Sequence, residues 1–229
     1  MIAAAAYRIL LRLFGARQRL PVEVVENVQP PNEHDDLAFI FNWLSTHGLR
    51  AERFCSAEIR QEKTPDFRLF RADKLAAYCE VKSPRDVWLD GQLDLVASAE
   101  IVGGSRPDPT FNRIAGHIEK AARQFDSVNP KREIPNILCF VNWATENSFQ
   151  DLEETLTGYL PIEGGQRAPT TLSVAEGRSI GSRKHRIDLY IWLDGSSQRL
   201  QGVFFGSARV FEKELCDWFG VDPCRIVRK

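Results

Sequence analysis

Apolar residues recur along this chain with two periods, and the changes of period divide it into helices and strands. Pro30-Pro31 ends whatever precedes it. From Asn32 onward Glu33, Leu37, Ile40 and Leu44 fall at i, i+4, i+7 and i+11 with Phe41 beside them, one stripe of a helix that Gly48 is placed to close. Leu49 to Ile59 carries strand-like alternation around Phe54 and Cys55. Phe67 to Phe70 and Ala76 to Val81 flank Arg71-Ala72-Asp73-Lys74 and predict a β-hairpin. A helix is expected from Phe111 to Val128, capped by Thr110 or Asn112. Asn136 to Trp143 (NILCFVNW) is the most apolar run and predicts a central strand. Phe149 to Tyr159 predicts a further helix. Pro161 to Ser182, rich in Gly, Pro, Ser and Thr, is expected to be a long loop. Ile187 to Leu193 and Gly202 to Phe205 predict a hairpin turning around Asp194-Gly195, and Ser207 to Phe219 a closing helix ended by Gly220.

The order is helix, three strands, helix, strand, helix, two strands, helix. It argues for an α/β fold with a mixed central sheet flanked by helices. The Pro-rich linker sets residues 1–31 apart from a main domain, 32–229. The length, 229 residues, suits one decorated domain with a substantial core. The first segment carries Arg8, Arg12, Arg17 and Arg19, no acid, and the apolar set Ile9, Leu10, Leu13 and Phe14. It reads as an amphipathic helix packed on the domain or a partner chain, with a membrane-surface or targeting role as the alternative. No apolar run approaches the roughly 20 residues that cross a bilayer.

The formal net charge is -1, which excludes nucleic-acid binding by bulk positive charge and confines any such role to local patches. The five cysteines (Cys55, Cys79, Cys139, Cys216 and Cys224) form no CxxC pair and are odd in number. They read as reduced, mostly buried small hydrophobes of a cytoplasmic protein.

The chemistry-bearing stretch is Thr64-Pro65-Asp66-Phe67 followed by Tyr78-Cys79-Glu80-Val81-Lys82. Alternation along a strand puts Glu80 and Lys82 on one face and Val81 on the other. Folding the hairpin about residues 71–74 brings Asp66 within about one residue of lying opposite Glu80. Two carboxylates at that spacing repel unless a cation sits between them. A hard divalent ion suits such oxygens and leaves room for a phosphate. Lys82 is then placed to hold an attacking water and offset charge on phosphorus, and the Val81 backbone carbonyl is a candidate further metal ligand.

Pro65-Asp66, thirteen intervening residues and Glu80-Val81-Lys82 resemble the PD-(D/E)XK nuclease superfamily over roughly residues 32–143. The resemblance implies a restriction-endonuclease-like core at 32–143 with a C-terminal extension at 144–229. It implies phosphodiester hydrolysis dependent on Mg2+ or Mn2+, with Asp66 and Glu80 as metal ligands and Lys82 as the water-orienting lysine. Superfamily members often add an acid from the first core helix, which points to Glu33, with Asp36 as the alternative; the competing reading is that these acids only favour the positive helix end.

In the helix after the motif, Arg113, His117, Lys120 and Gln124 recur at i, i+4, i+7 and i+11. Lys120 and Gln124 are candidate substrate contacts against the alternative of a solvated face, and His117 reads as a hydrogen-bonded surface histidine before a general base. Arg183 and Lys184, in the densest basic run, are candidate phosphate contacts against the equal alternative of a solvated loop. Arg85 or Trp88 is a candidate border of the cleft, against the more usual alternative that Trp88 only packs, and Ser83 to Pro109 reads as an insertion that shapes the cleft. The expected partner is nucleic acid, DNA before RNA, with a homodimer left open. The competing readings are a catalytically inactive nuclease-fold module for nucleic-acid binding or assembly, and an interaction domain or effector docking through its first helix.

Overall fold

The computed structural model describes residues 31–85, 110–143, 147–161, 166–169, 181, 183–206 and 209–223. All fall in the unit Pro31–Lys229; the arginine-rich start and most of the Ser83 to Pro109 segment lie outside the described residues.

Helix α1 spans Glu33–Thr46. Asn32 caps it, its side chain accepting the His34 N–H at 2.8 Å while the Asp35 carboxylate accepts the Asn32 N–H at 2.8 Å, a reciprocal box that satisfies otherwise orphaned donors. Gly48, at φ +70°, turns the chain out of it. Strand β1 is Arg50–Arg53 and is followed by a short helix α2, Ser56–Gln61. The expected strand through Ile59 therefore stops early: the Cys55 N–H donates to the Glu58 carboxylate at 2.8 Å, so a local capping contact overrides the alternation. Strands β2 (Phe67–Arg71) and β3 (Lys74–Lys82) form the expected hairpin. Its turn places Ala72 and Asp73 at φ 46° and 61°, as a two-residue hairpin loop requires.

Helix α3 (Thr110–Val128), strand β4 (Asn136–Asn142) and helix α4 (Phe149–Thr157) follow. The loop expected from Pro161 onward instead contains paired backbone, since β5 (Tyr159–Pro161) and β6 (Arg167–Pro169) make a small antiparallel ladder. Strands β7 (Leu189–Asp194) and β8 (Arg199–Phe205) are the second predicted hairpin, and α5 (Glu212–Phe219) closes the described chain. At the β7–β8 turn a Cβ on Gly195 would stand 2.5 Å from the Trp143 ring, so only glycine lets the turn approach.

The main sheet has strand order β1-β2-β3-β4-β7-β8. The β3–β4 and β4–β7 pairs are parallel and the others antiparallel, so the sheet is mixed and the α/β expectation holds. Every residue of β4 is buried, because helices cover both faces. Leu37, Ile40 and Leu44 of α1 and Leu215, Trp218 and Phe219 of α5 pack with Cys79, Val81, Ile137, Cys139 and Ile191 on one face. Ile114, Ile118 and Phe125 of α3 and Leu152 and Leu156 of α4 pack with Leu138, Phe140, Tyr190 and Trp192 on the other. Glu80 and Lys82 thus belong to the α3 face. Among the described residues no helix is long and apolar enough to cross a membrane.

Candidate active site

The β2–β3 ladder is not uniform. Arg71 pairs with Lys74 and Phe70 with Leu75, but Leu69 pairs with Ala77 and Phe67 with Cys79, a shift between Leu69 and Phe70. Ala76 is the extra residue, a β-bulge. Continued without it, the register set by the turn would put Asp66 opposite Cys79, on the wrong face. With it, Asp66 falls opposite Glu80.

The two acids are joined through main chain and side chain. The Asp66 N–H donates to Glu80 Oε2 at 3.0 Å, and the Val81 N–H donates to Asp66 Oδ2 at 2.8 Å. Lys82 forms an ion pair with Glu80 Oε1, as their shared strand face demands. Glu80 is 1 % exposed. Burial pushes its carboxyl up to about 8, with the Asp66 charge adding to the shift and Lys82 and a Gln124 hydrogen bond opposing it. Burial raises Asp66 also, offset by the Val81 N–H, Lys82, a hydrogen bond with Glu80 and the charge of Arg53. Burial and mutual repulsion thus both favour a proton on the pair over two bare carboxylates.

Helix α3 supplies the rest of the wall. Gln124 Nε2 donates to the Thr64 carbonyl at 2.9 Å and Ser127 Oγ to the Lys63 carbonyl at 2.6 Å. These two bonds pin the segment leading into Asp66. Gln124 also reaches Glu80, so of the predicted substrate contacts it is a direct neighbour of the acids, while Lys120 stands exposed one turn away. His117 is half-buried rather than a surface side chain: its ring packs edge-on to Phe140 at 6.3 Å. Burial, then Lys82, Lys120 and Arg113, lower it to about 4, against a hydrogen bond to the Ser83 backbone. It is neutral near pH 7.

Other predicted residues go elsewhere. Glu33 is exposed in the first turn of α1, so it does not face the sheet. Asp36 is the buried acid of that helix; Trp143 Nε1 donates to it at 2.5 Å and burial raises it to about 6. Among the described residues no group of three His, Cys, Asp or Glu converges, so Asp36 does not join Asp66 and Glu80. Arg183 pairs with Glu119, and Lys184 Nζ donates to the Leu156 carbonyl at 2.8 Å; both hold the 3-10 turn ahead of β7 rather than the acids. The Arg85 guanidinium donates to the Pro31 carbonyl, and Trp88 lies outside the described residues.

Do these groups suit a hard divalent ion? The donors are carboxylate oxygens, each with lone pairs beyond those used internally. The Tyr78 N–H points to β4, donating to the Pro135 carbonyl at 3.0 Å. By alternation Val81 points its N–H and C=O to the opposite side, that of Asp66. Two carboxylates and one carbonyl satisfy an ion that keeps several waters, and a cation would relieve the repulsion that raises Glu80. The residues fit Mg2+ or Mn2+.

Sequence alone missed Ser127, which lies three residues after Gln124 and shares its helix face; the contact it makes, with the Lys63 carbonyl, is distant in sequence. No protein-family description, no curated protein and no solved structure matches this chain.

Proposed function

We propose that this chain is a divalent-metal-dependent nuclease with a PD-(D/E)XK, restriction-endonuclease-like core, hydrolysing phosphodiester bonds in DNA in preference to RNA. The observation that carries the reading is the buried, mutually hydrogen-bonded pair Asp66 and Glu80 with Lys82 against it. A fold has little structural reason to bury two acids against one ammonium, since like charges in a desolvated place raise its energy.

Asp66 and Glu80, with the Val81 carbonyl, would hold the ion. When bound, it supplies Lewis-acid polarisation of a phosphoryl oxygen and makes water more acidic. Lys82 orients the attacking water and offsets negative charge as it builds on phosphorus. Gln124 keeps the Glu80 carboxylate and the Thr64 carbonyl in fixed relation. Water adds to phosphorus and the bond from phosphorus to the leaving sugar oxygen breaks. That oxygen takes a proton, leaving a phosphomonoester and a hydroxyl.

The test is a cleavage assay on single-stranded, duplex and branched DNA and on RNA, with Mg2+, Mn2+ or EDTA. Cleavage is expected with either metal and none in EDTA, and Asp66→Ala and Lys82→Ala are expected to abolish it while circular dichroism stays that of the parent. Cleavage that persists in both variants, or in EDTA, overturns the reading.

A further inference from the structure

Helix α3 lays one polar stripe along β3, and contacts near its two ends fix what stands between them. Gln124 Nε2 donates to the Thr64 carbonyl at 2.9 Å and reaches Glu80. Arg113, eleven residues earlier, donates from Nη1 to the Pro84 carbonyl at 2.9 Å. His117 lies on the same stripe, seven residues before Gln124. Seven helical residues rise about 10.5 Å, and the three strand steps from Glu80 to Ser83 advance about 10 Å. The imidazole is therefore carried to the end of β3, over Lys82 and Ser83. Its contacts agree. The ring bonds to the Ser83 backbone and packs edge-on to Phe140 at 6.3 Å. Phe140 is the residue paired with Lys82 across the parallel β3–β4 ladder, so both side chains rise from the same face of the sheet.

One atom in this wall is left over. His117 Nδ1 is buried and has no hydrogen-bond partner among the described residues, a state that buried polar atoms rarely keep without a reason. Lys82 beside it is an ammonium with three donors, part-buried and ion-paired with Glu80 Oε1. That ion pair is the contact the proposed reaction cannot retain, because a divalent cation on the Glu80 oxygens takes their lone pairs and repels the ammonium. We infer that His117 is a positioning residue for Lys82: its Nδ1 lone pair accepts an N–H of the ammonium when Glu80 gives its oxygens to the ion, and so keeps Lys82 turned to the attacking water. This inference rests on the metal-dependent nuclease reading and deepens it, by assigning the acceptor to which Lys82 turns.

An uncharged acceptor suits the place. Lys82, Lys120 and Arg113 are the charged neighbours of the ring, and with burial they keep it unprotonated, which leaves a lone pair to offer. A carboxylate at the same position would be a third acid near Asp66 and Glu80 and would compete with them for the ion. Imidazole orients the ammonium without that competition.

The experiment uses the full-length protein carrying isotope-labelled histidine, with Mg2+ titrated in and the His117 ring nitrogens followed by NMR. In the parent, Mg2+ is expected to shift the Nδ1 signal as that atom takes the Lys82 N–H; in Lys82→Met, Mg2+ should leave the signal in place. Single-turnover cleavage of a labelled DNA duplex with Mg2+ then compares two variants. His117→Leu keeps an apolar contact with Phe140 and has no acceptor; His117→Asn puts an amide oxygen near the position of Nδ1. The leucine variant is expected to lower the saturating rate roughly 10- to 100-fold with the half-saturating DNA concentration little changed, and the asparagine variant to recover most of that loss. A ring that served only packing would give the reverse order, with leucine tolerated and asparagine impaired. That order, equal rates in the two variants, or an Nδ1 signal that ignores Mg2+ in the parent or moves equally in Lys82→Met, overturns the inference and leaves the nuclease reading intact. A parent whose Nδ1 signal responds to Mg2+ through Lys82 but which cleaves no nucleic acid overturns the nuclease reading and keeps the Lys82 contact.

Discussion

Glu80 and Asp188 are each about 1 % exposed, and each has a cation beside it, but the charge around them does not balance in the same way. Asp188 sits just ahead of β7. It accepts the Asn136 N–H at 2.9 Å and pairs with Arg132, and its own N–H donates to the Asn136 carbonyl at 2.9 Å. Asn129 Nδ2 donates to Asn136 Oδ1 at 2.9 Å, and Asn136 Nδ2 to the Arg186 carbonyl at 2.8 Å. One acid meets one cation, and the amides close the circuit. Burial still raises Asp188, but the Asn136 N–H and Arg132 work against it. At Glu80 a second acid, Asp66, stands where Asp188 has only donors, and one ammonium serves both. The balanced cluster ties β4 to β7. The unbalanced one stores repulsion that a cation can release, which is the property expected of a reactive site.

The comparison is broken most sharply by isosteric neutralisation. Glu80→Gln is expected to lower cleavage on the order of 10³-fold while leaving the metal-free protein at least as stable as the parent, because a neutral amide avoids burying a second charge beside Asp66. Asp188→Asn is expected to do the reverse, destabilising by about 3 kcal/mol through the stranded Arg132 with the rate per folded molecule kept. Urea unfolding in EDTA alongside the cleavage assay reads both; a stability loss at Glu80 matching that at Asp188 would erase the distinction.

A second difference lies in pH. The Glu80 carboxyl is raised from 4.5 to about 8 in the folded chain, so the folded state binds its proton more tightly than the unfolded one. Its contribution is fully present below the unfolded value and is lost as pH rises through the folded value. The metal-free protein should therefore lose stability between those two values, and Mn2+ should restore more as pH rises, because protons compete for the same oxygens. Thermal melts with EDTA or Mn2+ from pH ~5 to ~9 test this. A metal-induced gain in Tm that stays flat with pH would count against the ion binding at Glu80.

The smallest expected effect concerns the turn that sets the hairpin. Ala72 occupies a left-handed conformation, φ 46°, that asparagine adopts more readily. Ala72→Asn is expected to stabilise by roughly 0.5 kcal/mol without altering cleavage or the response of either cluster to mutation. A drop in cleavage would show that the turn communicates with the site more strongly than the register alone requires.

Much of this was legible from residue order. The 3.6-residue stripe of α1, the apolar run of β4 and the two hairpins follow from local pattern, and the shared face of Glu80 and Lys82 follows from the period of a strand. Other features were not legible. Glu33 and Asp36 are separated by less than one helical turn, and only the angle at which α1 meets the sheet exposes the first and buries the second. Arg183 and Lys184 looked like free cations in a basic run until Glu119 and the Leu156 carbonyl, distant in sequence, claimed them.

What the sequence alone determined is most of the elements of the main sheet and the chemical identity of two acids and a lysine, because side-chain direction within one strand or helix repeats with a fixed local period. What only the tertiary structure decided is which residues meet across elements: the bulge at Ala76 that sets Asp66 opposite Glu80, and the docking of α3 that brings Gln124 to the Thr64 carbonyl. Pairing between strands is set by the packing of both faces and by turn geometry together, and a one-residue slip would carry Asp66 to the opposite side of the sheet.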